Sequence, residues 1–491
     1  MKGALAMLLV ASLAACDIVY SLDRPVIDAP PVPGPDLVTA RFVRKQIARE
    51  GGDVMELTAD DVSASVVLAN GAQPEVEREG DTFRFAWTRG MTYFLTFVQP
   101  DRAPLTYVMD TESLVHIRRE LARDGIVPSA GTQLDITMTN LGQMASYTFV
   151  MATGIWVQAT SAVIGANRFV VDWADPVTFV TRQPRLLAPG DRLYCVEFDT
   201  VLNGSGGLAY HALKRWAVGD QFAMIDGTTT MVTCPLADMS LSKCARAVVD
   251  RDAELELVQN AVSSPAYSTI TWGTHVVAIP APELGPYNAL WLAFDQGNGP
   301  FPDFIGDMPY QNPFAGHDVA LQSSMGLSRE VRAKGQDNPI TFAAARRHYY
   351  RPADNCGPST AIAELAMPSP PAFGGAYFVN DGDLQLSATQ PIRVSWELRS
   401  PGPVDYYLIQ LYEIVAGDGE DTKAVERHAW VTTKTELTLE RDRFETGHQY
   451  IMGITATYGF PDAATGDFST TRWPAPVGSA TNYSGVFTVA P

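Results

Sequence analysis

The chain has 491 residues, and 46% of them are hydrophobic, enough to bury several cores and too many for a disordered polymer. Its formal net charge is −19 and its few basic residues form no block, so it lacks the basic face that nucleic acid requires of a partner. The 34 prolines and 39 glycines are spread between β-branched and aromatic runs, which points to an all-β chain of short strands and turns.

Lys2 precedes an apolar stretch from Ala4 to Leu13, and the small residues Ala14 and Ala15 follow it. That is the pattern of an export signal, too short to span a bilayer. Leu13-Ala14-Ala15-Cys16 resembles the lipobox of bacterial lipoproteins. The resemblance implies that residues 1–15 are removed as a signal peptide, that Cys16 carries lipid on its sulfur and that the new N-terminus is acylated. The protein is then expected in the bacterial cell envelope, held to the exported side of a membrane. Asp17 resembles an inner-membrane retention signal of enteric bacteria, but the choice between inner and outer membrane stays open. Pro25, Pro30, Pro31, Pro33 and Pro35 make residues 16–35 a tether. Extended at about 3.1 Å per residue, it reaches roughly 60 Å.

Residues 36–125 are expected to form a β-sandwich. Phe83, Phe85 and Trp87 alternate before Arg89-Gly90, and Tyr93, Leu95 and Phe97 alternate after it, which predicts a β-hairpin with one apolar face. SASVVLANG predicts another strand, closed by an Asn-Gly turn. SLVHIRRELARDG fits helix and strand equally well.

Residues 126–366 are expected to hold one or two further sandwiches. LDITMTNL, YTFVMATGIWVQA, RFVVDW, RLYCVEFDTV, STITWGTHVVAIP and NALWLAFD predict strands, and Asp226-Gly227 predicts a hairpin turn. Residues 296–325, rich in Gly, Pro and aromatics, predict a long irregular loop of the sort that carries function. With Cys16 set aside, Cys195, Cys234, Cys244 and Cys356 remain, an even number in an oxidising compartment. They predict two disulfides, for which three pairings are possible. The short separation favours Cys234 with Cys244, leaving Cys195 with Cys356. No CxxC or HxH spacing occurs, so no metal site is expected.

Residues 367–375, within AMPSPPAFGG, predict a linker. Beyond it, IRVSWEL with Trp396, YYLIQLYEI, and FETGHQYIMGITATYG with Gly447, Tyr450, Met452, Ile454 and Ala456 resemble a fibronectin type III domain over residues 376–491. The resemblance implies that Tyr450 is a tyrosine corner, its hydroxyl bonded back to the main chain. Pro474 and Pro476 depart from the family pattern by enlarging the last loop.

Catalytic motifs are missing: there is no GxSxG, HExxH, GxGxxG or Walker loop, and Ser205 in NGSGG is a glycine-rich turn. Three constellations remain. Arg346, Arg347, His348, Tyr349, Tyr350 and Arg351 form an anion-gripping set or, more simply, a charged edge strand. Asp295, Asp303, Asp307 and Asp318, like Asn380-Asp381-Gly382-Asp383, offer oxygen but lack the spacing of a calcium loop. Trp156, Trp272, Trp291 and Trp430 would stack on sugars if exposed and otherwise belong to cores.

The expected architecture is therefore all-β, tandem antiparallel β-sandwich domains ending in a fibronectin type III-like unit. The expected function is binding of a protein or glycan rather than catalysis, with no cofactor and with a membrane reached through the lipid anchor. The alternative is a carbohydrate-binding or carbohydrate-active envelope lipoprotein. Oligomeric state is unread.

Overall fold

The computed structural model describes residues 36–47, 54–57, 61–100, 102–120, 126–142, 145–152, 157–160, 167–174, 186–189, 191–202, 209–219, 223–262, 264, 266–279, 290–298, 304–314, 316–350, 356, 365–384, 391–417, 419–469 and 476–489. Cys16, the tether, Trp156, Ser205, Asp303 and Arg351 lie outside the described residues. The chain is all-β, with several packed sheets and one helix longer than a single turn among the described residues, Arg251–Val262. No helix there is long and apolar enough to cross a membrane.

The first unit is a sandwich, but its central prediction needs correcting. Thr82–Trp87 and Tyr93–Val98 do not pair as a hairpin; the former joins Asp36–Ile47 and Val76–Glu79, the latter Ser63–Leu68 and Leu105–Met109. The turn at Arg89-Gly90 carries the chain from one sheet to the other. Gly90 takes a φ of 80°, a left-handed conformation that suits glycine. The physical reason lies in the two apolar faces. In a hairpin both would point the same way and need another layer, whereas here they close on each other. Phe85 meets Tyr93 edge-on at 5.2 Å and Phe83 meets Phe97 at 5.4 Å between ring centroids. The ambiguous SLVHIRRE is a strand, Ser113–Glu120, parallel to Asp36–Ile47.

The two stretches of the middle region share one sheet. Leu193–Leu202 pairs with Ala145–Ala152 and Ala209–Gly219, which reaches Leu290–Asn298 and then Thr269–Ile279, Asp318–Val331 and Ile340–Tyr350. One core, running from Tyr194 to Tyr350, lies against it. The predicted loop 296–325 is largely strand instead: Phe304–Tyr310 pairs with Lys243–Val249, and residues from Asp318 onward extend a long strand. Ala245, Ala247 and Val249 on one strand and Met308 and Tyr310 on the other supply an apolar face that outweighs the glycines and prolines nearby. Asp226-Gly227 is a turn but not a hairpin, for the strand after it, Thr229–Pro235, runs parallel to Gln133–Thr139.

Both disulfides form, with a different pairing from the one favoured: Cys195 bonds Cys234 and Cys244 bonds Cys356. Cys234 is carried into the core that holds Leu134, Leu193 and Ala217, while Cys244 lies on the strand facing the other core. The short connection between Cys234 and Cys244 is taken up in crossing between sheets, so proximity in sequence misleads.

In the last unit Ala372–Phe373, Ile392–Ser395 and Glu436–Leu439 form one sheet, facing Thr422–Thr432, Tyr406–Ala416, Gln449–Tyr458 and Val477–Tyr483 in the other. Among the described residues, both outer strands of the facing sheet are paired to other units over part of their length. Thr422–Thr432 pairs in parallel with Leu105–Met109 of the first unit, and Val477–Tyr483 pairs with Ile340–Tyr350 of the middle body. The unit that comes last in the chain therefore sits between the other two. Residues 367–375 begin buried rather than as an open spacer, with Leu365, Ala366 and Met367 in cores and Met367 N–H donating to Ser400 Oγ at 2.9 Å.

Candidate functional site

The predicted constellations are taken up in structure. Ile340–Tyr350 is an interior strand, not a charged edge, because it is paired on both sides. Arg346 is 0% exposed; its Nη1 donates to Glu254 Oε2 of the helix at 2.6 Å and its Nη2 to the Leu365 carbonyl at 3.0 Å. His348, Tyr349 and Tyr350 are buried as well, and only Arg347 is exposed among the described members of that run. The grip is thus turned inward, onto a carboxylate of the protein itself.

The loop aspartates also hold arginines. Asp307 accepts from Arg246 Nε and Nη2 at 2.5 and 2.8 Å, and Asp295 accepts from Arg251 Nη2 at 2.7 Å. The Arg246 guanidinium keeps the Asp307 carboxyl below the ordinary carboxylate range. Among the described residues the only group of three or more potential ligand side chains with atoms within 4.8 Å of one another is Asp307 with Cys244 and Cys356, whose sulfurs are already joined. Trp430 is core, Trp272 lies under the Arg251 guanidinium at 3.8 Å, and Trp291 stacks on His275 at 5.4 Å. These three rings are thus engaged by protein groups, Trp272 and Trp291 while half-buried.

One site was not foreseen. Where the end of Asp318–Val331 meets the last unit, a cleft of about 380 Å³ is lined by Arg329, Glu330, Arg332, Asp381, Asp383, Gln449 and Thr488, among others. Arg329 is 3% exposed. Its Nη2 donates to both Asp381 oxygens at 2.8 and 3.0 Å, while its Nε and Nη1 have no acceptor. Asp381 also accepts from Val486 N–H at 2.7 Å, so the predicted acidic turn serves as a clasp across the seam. The Arg329 guanidinium lies 5.7 Å over the Tyr267 ring, and the Tyr267 hydroxyl, also buried, has no hydrogen-bond partner. Burial pushes that hydroxyl's pKa well up, so it stays a donor at any ordinary pH. Tyr267 lines a second cleft of about 330 Å³ with Gln259, Ser264, Ser268 and Leu327.

The Arg329 Nε and Nη1 atoms are closed to solvent and offer no donor to the cleft, whose exposed cation is Arg332. Exposed Asp383 and Glu330 add the opposite sign at the rim. The lining groups hydrogen-bond and carry charge, which suits holding a polar ligand. A sequence signal for Arg329 does exist: it falls in phase with Leu327 and Val331 on one face of an alternating strand.

Comparison with known proteins adds little. No family model matches, and no curated protein matches. Among solved structures, the crystal structure of chicken CNTN1 FN1-FN3 domains aligns with 85% of this chain and 92% of its own, at 11% identity and a TM-score of 0.13. The fibronectin type III-like character of the last unit rests on its own geometry. Glu445 N–H donates to the Tyr450 hydroxyl at 3.0 Å, Gly447 takes a φ of 85°, and Trp396 packs edge-on against Tyr407 at 5.2 Å.

Proposed function

We propose that this is a bacterial envelope lipoprotein, anchored through Cys16, whose β-sandwich body is a binding module. The observation that carries the binding reading is the seam cleft itself, about 380 Å³ lined by exposed Glu330, Arg332, Asp381 and Asp383, with buried Arg329 clasped to Asp381 at its wall. The anchor rests on Leu13-Ala14-Ala15-Cys16 alone. A tether of residues 16–35 would leave the body free to meet partners at a distance from the membrane. The sugar-active alternative has no support from the described tryptophans, which are packed against protein groups.

Two experiments test the two halves. C16S should abolish fatty-acid labelling and release the protein from membranes; unchanged labelling refutes the anchor. Photocrosslinkers at the rim positions Arg332 and Asp383, in intact cells, should capture an envelope component that R329M no longer yields. Identical capture in both backgrounds would remove the cleft from the binding reading.

A further inference from the structure

The two disulfides lie in opposite settings. Cys195 and Cys234 are 0% and 1% exposed, inside the core that includes Leu134, Ile136 and Trp173. Cys356 keeps partial solvent exposure, while Cys244 is the more enclosed of the two. Cys244 stands on a two-stranded sheet, Lys243–Val249 with Phe304–Tyr310, so its strand has one neighbour among the described residues.

Backbone geometry sets Cys356 apart. Its φ is 51°, in the left-handed region that L side chains rarely adopt; Asn140 is the only other non-glycine residue there among the described residues. Such a conformation persists only where surrounding bonds impose it. Among the described residues, the bonds on Cys356 are the crosslink and one hydrogen bond, Cys356 N–H to the Cys244 carbonyl at 3.3 Å. That hydrogen bond joins the two backbones independently of the crosslink. A carboxylate oxygen of Asp307 lies within 4.8 Å of both sulfurs and is held ionised by Arg246.

From this geometry we infer that Cys244–Cys356 is a reversible thiol–disulfide exchange site for a dithiol reductant, and that Cys195–Cys234 is a permanent structural bond. In the forward step one thiolate of the reductant attacks Cys356 Sγ. A mixed disulfide forms, the Cys244–Cys356 bond breaks, and its electron pair leaves on Cys244 Sγ, which takes a proton from water. The second thiol of the reductant, as thiolate, then attacks its own partner sulfur and expels Cys356 as thiolate, which is protonated in turn. Two cysteines are reduced and one dithiol is oxidised, with no other reactant. Asp307 opposes each anionic species, the incoming thiolate and the departing one, and so slows the exchange, with its Arg246 partner offsetting part of that charge.

The test is graded reduction of the full chain with dithiothreitol, quenching with iodoacetamide, and mapping of alkylated cysteines by peptide mass spectrometry. Cys244 and Cys356 should be alkylated first, and Cys195 and Cys234 only after denaturant is added. Simultaneous alkylation of all four, or Cys195 and Cys234 first, overturns the assignment. Removal of reductant should restore the original pair; scrambled pairing would refute reversibility. D307N should raise the exchange rate of Cys244–Cys356 at least about fivefold, the effect of one nearby surface charge, and leave the buried bond unchanged. An unaltered or slower rate would remove Asp307 from the site. None of these readouts depends on the lipid anchor.

Discussion

Tyr450 joins ring and hydroxyl in a single anchoring act. Its ring packs against Phe444 and Phe487, and its oxygen accepts the Glu445 N–H. Y450F keeps the ring and leaves that part-buried donor unmet, so it should lower stability by about 1–2 kcal/mol, read as a reduced urea midpoint with unchanged secondary structure. This corner was legible because Gly447 and Tyr450 are neighbours in sequence, and local spacing fixes their relation. Arg346 and Arg329 were not legible in the same way. Arg346 has its carboxylate on Glu254, 92 residues away, and Arg329 has its clasp on Asp381, 52 residues away. A charged residue on a strand reads as exposed until its distant partner is known, and Arg346 was accordingly placed on an edge that does not exist. The disulfide pairing failed for the same reason, since Cys244 meets Cys356 across 112 residues.

At the scale of elements, alternation located strands well and their neighbours poorly. Phe83, Phe85 and Trp87, like Tyr93, Leu95 and Phe97, are buried as their spacing requires, yet the turn between them links two sheets rather than two paired strands. A period of two says which face is apolar and nothing of what covers it. The helix Arg251–Val262 escaped notice among strands, although its signals are present. Asp250 Oδ1 accepts the Ala253 N–H at 2.9 Å as an N-cap, and Leu255, Val258 and Val262 recur at helical spacing against Met325 and Leu327. D250A should lower stability by about 1 kcal/mol and weaken the helix first, which hydrogen exchange of residues 253–256 would register. Equal protection in the variant would show that Arg346, through Glu254, holds the helix without its cap.

Across the whole molecule, three buried histidines are tied to the paired strands that make it continuous. His428 Nε2 and Thr106 Oγ1 share a hydrogen bond of 2.7 Å at the seam with the first unit, and His348 lies opposite Gly478 at the seam with the middle body. His275 is bonded to Gln296 at 3.0 Å inside that body. These seams could not be read from sequence, because each pairs strands from distant parts of the chain. Burial, reinforced for His428 by Arg443, for His348 by Arg346 and for His275 by Arg347, pushes their pKa values down to about 3, 3 and 4 respectively, from an ordinary 6.5. Below pH 6.5 the unfolded chain therefore binds protons that the folded chain refuses. Stability should be level above that pH and fall as pH drops toward 3 to 4, by up to about 1.4 kcal/mol per pH unit for each histidine. Asp135, Asp226 and Asp307, held below the usual carboxylate range by Arg168, by Ser129 and Thr132, and by Arg246, extend the loss at lower pH. The two contributions separate in H428Q, which can keep a bond to Thr106 and cannot titrate. Because burial also pushes the His211 pKa down, between pH 6 and 4 the variant's urea midpoint should fall about a quarter less steeply than that of the parent, and an equal slope would mean that the seam opens for the proton before the chain unfolds.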